Sequence, residues 1–123
     1  IIEPEVNIHS ESKAEAEDML AAALMKHVQA LPANTPVMLK LTLPEKAGIY
    51  DALAKHPQVL RVVALSGGYS TDEACARLAN NTHMIASFSR ALLQELRAQM
   101  NDQEFDASLA SAIDEIYQAS IAG

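Results

Sequence analysis

Four short apolar runs, each followed by a stretch with helical spacing, restrict what this chain of 123 residues can fold into. The runs fall at residues 1–6, 37–43, 59–65 and 84–88. The third, Val-Leu-Arg-Val-Val-Ala-Leu, is almost continuously apolar, as strands covered on both faces are. Between the runs the period changes. Ser12 with Glu15 three residues on has the form of a capping box, and Leu20, Leu24, Val28 and Leu31 share one helical face. Pro32 and Pro36 bracket a loop, and residues 48–56 read as a short helix stopped by Pro57. Ser70 with Glu73 opens a helix to about Asn80. From Ser89 on, Leu92, Leu93 and Leu96 read as helix, and Asn101 with Glu104 starts a last one carrying Phe105, Leu109, Ile113 and Ile116.

A β-α alternation repeated four times implies an α/β fold with a parallel sheet and helices outside it. Four units are about half of a (β/α)8 TIM barrel of ~250 residues. Half a barrel has two open strand edges and an exposed inner face. The expectation is therefore one unit over residues 1–123, completed by a missing N-terminal half or by a second copy in a homo-oligomer. The opening without Met, directly in an apolar run, points the same way, to a piece of a longer protein.

Charge and composition exclude other classes. Half the residues are hydrophobic, enough for one core. The formal net charge is -7, with nine Lys plus Arg spread along the chain, which argues against nucleic-acid binding on a basic face. No run approaches the ~18 apolar residues of a membrane span, and no charged leader precedes an apolar segment, so neither a membrane nor a secretory signal is expected. The single cysteine, Cys75, rules out an internal disulfide and fits a reducing cytosol, hence a cytoplasmic protein. In Glu73-Ala74-Cys75-Ala76 it reads as buried filler. One thiol cannot build a thiolate zinc site, and His9, His27, His56 and His83 lack the spacing of a ligand set, so no metal or cofactor is expected.

Chemistry is concentrated at the strands. Lys40 interrupts the apolar run Val37-Met38-Leu39-Lys40-Leu41-Thr42-Leu43. A lysine there either reaches solvent by snorkelling, finds a partner or loses its charge, because an unpaired buried cation is expensive. A neutral amine attacks carbonyl carbon to form a Schiff base. Glu3 and Glu5 share one face of the first run because the strand period is two. The third run ends in Ser66-Gly67-Gly68 before a capping sequence: either a common tight turn or a cradle whose backbone N–H groups approach a phosphate. The fourth ends in Ser87-Phe88-Ser89-Arg90, where Arg90 is either a surface residue or a bidentate phosphate ligand. A carboxylate pair, a strand lysine and two anion-binding strand ends on four consecutive strands describe a Schiff-base site for a phosphorylated carbonyl compound.

These residues resemble a known family. Ile2-Glu3-Pro4-Glu5, Leu39-Lys40, Leu65-Ser66-Gly67-Gly68-Tyr69-Ser70, Ser87-Phe88-Ser89-Arg90-Ala91-Leu92 and Ile116-Tyr117-Gln118-Ala119-Ser120 look like class I fructose-bisphosphate aldolase, bacterial metal-independent branch. The resemblance implies the C-terminal half of the barrel, holding its fifth to eighth strands. It also implies reversible cleavage of fructose 1,6-bisphosphate to dihydroxyacetone phosphate and glyceraldehyde 3-phosphate, in glycolysis and gluconeogenesis. By it, Lys40 falls at the Schiff-base lysine, Glu3 at the proton-transferring carboxylate and Glu5 at an accompanying glutamate. Ser66, Gly67, Gly68, Ser89 and Arg90 fall where the ketose phosphate is held. The family also uses an aspartate and further lysines from earlier strands, and these are absent. The animal branch ends on a tyrosine, whereas Tyr117 here lies within a helical stretch. The alternatives are a non-catalytic half-barrel that at most binds phosphorylated ligands, and another Schiff-base barrel such as transaldolase.

Overall fold

The apolar runs do become parallel strands. A computed structural model describes residues 1–123 and contains a three-stranded parallel sheet of β1 (Val37–Thr42), β2 (Val59–Leu65) and β3 (Met84–Ala86), side by side in chain order. Helix α1 (Lys13–Gln29) precedes β1. Helices α2 (Asp51–Ala54) and α3 (Thr71–Ala79) connect the strands, and α4 (Asp102–Ala122) follows. Alternation splits the sheet into two faces. One face carries Leu39, Leu41, Val62, Ala64 and Met84, which form a single core with Leu24 and Val28 of α1, Leu53 of α2 and Ala74, Cys75 and Leu78 of α3. At about 25 cal/mol per Å² of apolar surface removed from water, this cluster is the main stabilising element. The opposite face carries Lys40, Val63 and Ile85 in one row across the three strands.

Four expectations are corrected. The run at 1–6 is not a strand: it touches β1 through a single parallel bridge, Ile2 to Leu39, made of Ile2 N–H to the Met38 carbonyl and Lys40 N–H to the Ile2 carbonyl, both 2.9 Å. A segment with one neighbour and mostly exposed side chains holds no longer ladder. The structure is thus a three-stranded sheet extended by a bridged segment, and a closed barrel is not formed by these residues. Ser12 does not cap α1 through its side chain. Glu15 therefore has no capping box to complete. The short helix read at 48–56 is the four residues of α2.

Finally, no regular helix follows Ser89; residues 90–95 form successive turns. The reason is tertiary. The Ala91 carbonyl, which a helix would commit to residue 95, accepts from the Thr71 hydroxyl at 2.7 Å and from the Gln94 amide at 3.3 Å, and Gln94 turns its Oε1 to the Thr71 amide at 2.9 Å. By contrast, α4 opens with a complete capping box between Asn101 and Glu104. Its apolar stripe stays largely uncovered: Phe105 and Ile113 are exposed and only Ala119 is buried. No helix is long and apolar enough to cross a membrane.

Candidate active site

The site lies on the face of the sheet away from the core, toward the C-terminal strand ends, where α/β proteins place ligands. The bridge between Ile2 and Leu39 puts the next residue of each segment side by side, and Lys40 Nζ donates to Glu3 Oε2 at 3.1 Å. Lys40 is about a quarter exposed and Glu3 about half. Of the three fates open to a lysine in an apolar strand, pairing is the one realised. Glu5, two residues on and on the same face, lies 3.7 Å from the Arg90 guanidinium.

A cleft of about 170 Å³ gathers seven of the eight residues singled out in the sequence: Glu3, Glu5, Lys40, Ser66, Gly67, Ser89 and Arg90. The eighth, Gly68, is beside it; a Cβ there would lie 3.9 Å from the Arg90 side chain. The turn after β2 needs its glycines. Gly67 has φ +64° and Gly68 +106°, and a Cβ on Gly67 would come within 2.9 Å of the Ile8 side chain.

The amides of Gly67, Gly68, Ser89 and Arg90 donate to no acceptor within the chain. Four free N–H groups and a guanidinium beside two carboxylates and an amine make a cleft suited to an anionic, carbonyl-bearing ligand. The helix starts contribute less than their sequences suggest. At α3 the Thr71 amide is taken by Gln94, and the Glu73 amide by the Ser70 hydroxyl at 3.3 Å. At Ser89 no helix begins, so any anion there meets turn amides rather than a helix dipole.

Sequence reasoning missed three features. Thr42, fully buried, binds Val6 through both backbone groups, at 2.9 and 3.2 Å. Its signal was available: it stands two residues after Lys40 and so on the same face. Ser87 also lines the cleft.

The third is a charge network behind the site. Lys13 Nζ, 3% exposed, donates to Glu17 Oε1 at 2.5 Å and to the Leu43 carbonyl at 2.8 Å. Glu17 Oε2 accepts from the Glu45 amide, and Glu45 Oε1 meets Arg77 at 3.2 Å. The Arg77 guanidinium stacks over Tyr69, 4.3 Å from the ring centroid. Partial desolvation would raise the Glu45 carboxyl, but Lys13 and Arg77 outweigh it and hold the group below the ordinary range. Burial first, then Glu45, pushes the Tyr69 phenol up to about 12 despite Arg77. Burial, then Glu115, lifts the Cys75 thiol to about 11, so this cysteine is no nucleophile at neutral pH. No group of three or more His, Cys, Asp or Glu side chains is arranged to hold a metal ion.

Beside the cleft, and sharing Lys40 with it, is an apolar hollow of about 730 Å³ lined by Ile85, Phe88, Leu92, Ile113, Tyr117 and Ile121. It is bounded by α4 and the outer edge of β3.

No protein-family model matches the chain. It is 56% identical over 121 residues to the class 1 fructose-bisphosphate aldolase of Synechocystis sp., an alignment that takes in 98% of this chain and 40% of that protein. The chain thus spans less than half the length of this curated relative. At that identity over nearly its whole length, the chain is similar to one part of a class I fructose-bisphosphate aldolase.

Proposed function

We propose that the chain supplies the Schiff-base side of a class I fructose-1,6-bisphosphate aldolase, as the C-terminal part of a (β/α)8 barrel. The observation that carries this reading is the Lys40–Glu3 pair, 3.1 Å apart, in a cleft with four free amides and Arg90. Glu3 takes a proton from the ammonium, and the neutral Lys40 amine attacks the ketone carbon of fructose 1,6-bisphosphate. The carbinolamine hydroxyl leaves as water, with the proton returned by Glu3. A base on the rest of the barrel, where the family carries an aspartate, takes the C4 hydroxyl proton; the electron pair of the breaking C3–C4 bond passes into the iminium, and glyceraldehyde 3-phosphate departs. Protonation of the resulting enamine and hydrolysis release dihydroxyacetone phosphate and regenerate Lys40. Ser66, Gly67, Gly68, Ser89 and Arg90 hold the ketose phosphate, which converts binding into orientation of the carbonyl. Glu5 sets the resting position of Arg90 through their 3.7 Å contact. With a lone thiol and a soluble phosphorylated substrate, the cytoplasm is the compartment that fits.

A second reading for the chain on its own is a non-catalytic half-barrel, and one contact favours it. The Ala86 amide at the outer edge of β3 donates to Ser120 Oγ of α4 at 3.1 Å. A further strand closing the barrel at this edge would need that amide, so the chain here covers its own edge.

Borohydride trapping with dihydroxyacetone phosphate, read by intact mass and peptide mapping, separates the two. A reduced adduct on Lys40, lost in Lys40→Met, supports the enzyme. An adduct that persists in Lys40→Met rules Lys40 out as the nucleophile. No adduct in the folded wild-type chain favours the non-catalytic half.

A further inference from the structure

The two carboxylates of the site sit on a segment that is barely part of the sheet. Residues 1–6 make no strand, and Glu3 and Glu5 are both exposed. Besides the Lys40–Glu3 pair, the segment is hydrogen-bonded to β1 at two places. One is the bridge at Ile2, with its two 2.9 Å backbone hydrogen bonds to Met38 and Lys40. The other is Thr42. Its hydroxyl accepts from the Val6 amide at 2.9 Å and donates to the Val6 carbonyl at 3.2 Å. Glu3 and Glu5 lie between these two attachments. Thr42 is fully buried, so its hydroxyl has no water to exchange with and both its bonds go to Val6.

We infer that Thr42 is a positioning residue of this site: its hydroxyl fixes Val6 to β1 and thereby holds Glu3 against Lys40. The inference rests on the proposed Schiff-base role of Lys40. A hydroxyl does here what a longer ladder would do, because it supplies donor and acceptor at once where the chain turns away from β1. Removing it leaves one attachment, on the far side of both carboxylates from the turn. The segment then pivots about Ile2, and Glu3 loses its fixed distance to Nζ. Of the phosphate-binding groups that follow β2 and β3, the pivot reaches only Arg90, through its 3.7 Å contact with Glu5.

Thr42→Val keeps size and burial and deletes both hydrogen bonds, while Thr42→Ser keeps them. Amide hydrogen exchange of the 123-residue chain is the first readout. In Thr42→Val the amides of Val6 and Lys40 should exchange at least about tenfold faster, with the β1–β2 ladder unchanged. In Thr42→Ser they should remain as in the wild type. A loss of protection spread evenly over the sheet, or none at Val6 and Lys40, overturns the inference. The second readout is the rate of borohydride-trapped adduct at Lys40 with dihydroxyacetone phosphate. It should fall about tenfold in Thr42→Val and be restored in Thr42→Ser. Wild-type trapping at Lys40 with an equal rate in Thr42→Val overturns the positioning role and leaves the Schiff-base reading intact. Trapping elsewhere in the wild type removes the Schiff-base reading, while exchange at Val6 and Lys40 still decides whether Thr42 holds the segment. If Thr42→Val does not fold, Thr42→Cys, similar in size and a much weaker hydrogen-bonding group, carries the same expectations.

Discussion

Replacing Lys13 by Met should destabilise the chain far more than an ordinary lysine substitution. The Lys13 ammonium is 3% exposed and its partner Glu17 is fully buried. The ammonium serves three oxygens: Glu17 Oε1, the Leu43 carbonyl at 2.8 Å and Glu45 Oε1 at 3.4 Å. Without it, Glu17 keeps a single donor, the Glu45 amide at 2.9 Å, and the Leu43 carbonyl loses its side-chain partner. Breaking one side of such a pair leaves an uncompensated buried charge, at a cost of about 3–5 kcal/mol. That is a large share of the roughly 5–15 kcal/mol available to a domain of this size. The cost should appear as a lower urea midpoint with an unchanged slope, and as a fall in Tm of roughly 10–20 °C.

Lys13→Met combined with Glu17→Gln should recover much of the loss, because the amide oxygen still accepts from Glu45 and no charge remains buried. The result that would refute the reasoning is a loss below about 1 kcal/mol for Lys13→Met, the value of a solvated surface pair. A strictly additive double mutant would be equally damaging, because it would show that the two groups do not interact. The network matters for the site because Leu43 follows Lys40 by three residues: the buried ion pair pins the end of the strand that presents the amine.

Two further outcomes are expected, beside those for Lys40 and Thr42. Arg90→Ala should weaken binding of dihydroxyacetone phosphate by about tenfold, the lower end for a charge-assisted contact because this guanidinium is 68% exposed and screened; an unchanged affinity by calorimetry would remove it from the phosphate site. The Glu45 carboxyl is held below its ordinary value of 4.5, so it contributes stability above that pH and the contribution is lost as pH falls through the folded-state value. Denaturant midpoints should therefore drop on acidification below about 4.5, and Glu45→Gln should flatten that drop; equal slopes in both proteins would show that Glu45 is not linked to folding.

The sequence by itself determined the parallel sheet and picked out most of the residues that line the cleft. Runs rich in Val and Leu at 37–42 and 59–65 leave little freedom, because a strand covered by helices must be apolar along its length. The turn after β2 was equally legible, because positive φ at Gly67 and Gly68 leaves little choice of residue. The capping pair Asn101 and Glu104 is likewise a local rule obeyed locally.

What only the tertiary structure decided are matters of partner and distance. Leu92, Leu93 and Leu96 have helical spacing, yet the Thr71 hydroxyl, 20 residues upstream, takes the carbonyl that a helix there would use. The segment at 1–6 has strand composition, but with β1 as its one neighbour it forms a bridge and a side-chain clasp. Lys13 and Glu17 look like any surface pair four residues apart until Leu43 and Glu45 close over them. The Lys40–Glu3 contact spans 37 residues. Periodicity reports which face a residue occupies, because that depends on its own backbone; what stands opposite depends on how the sheet and helices are assembled, and no local spacing encodes it.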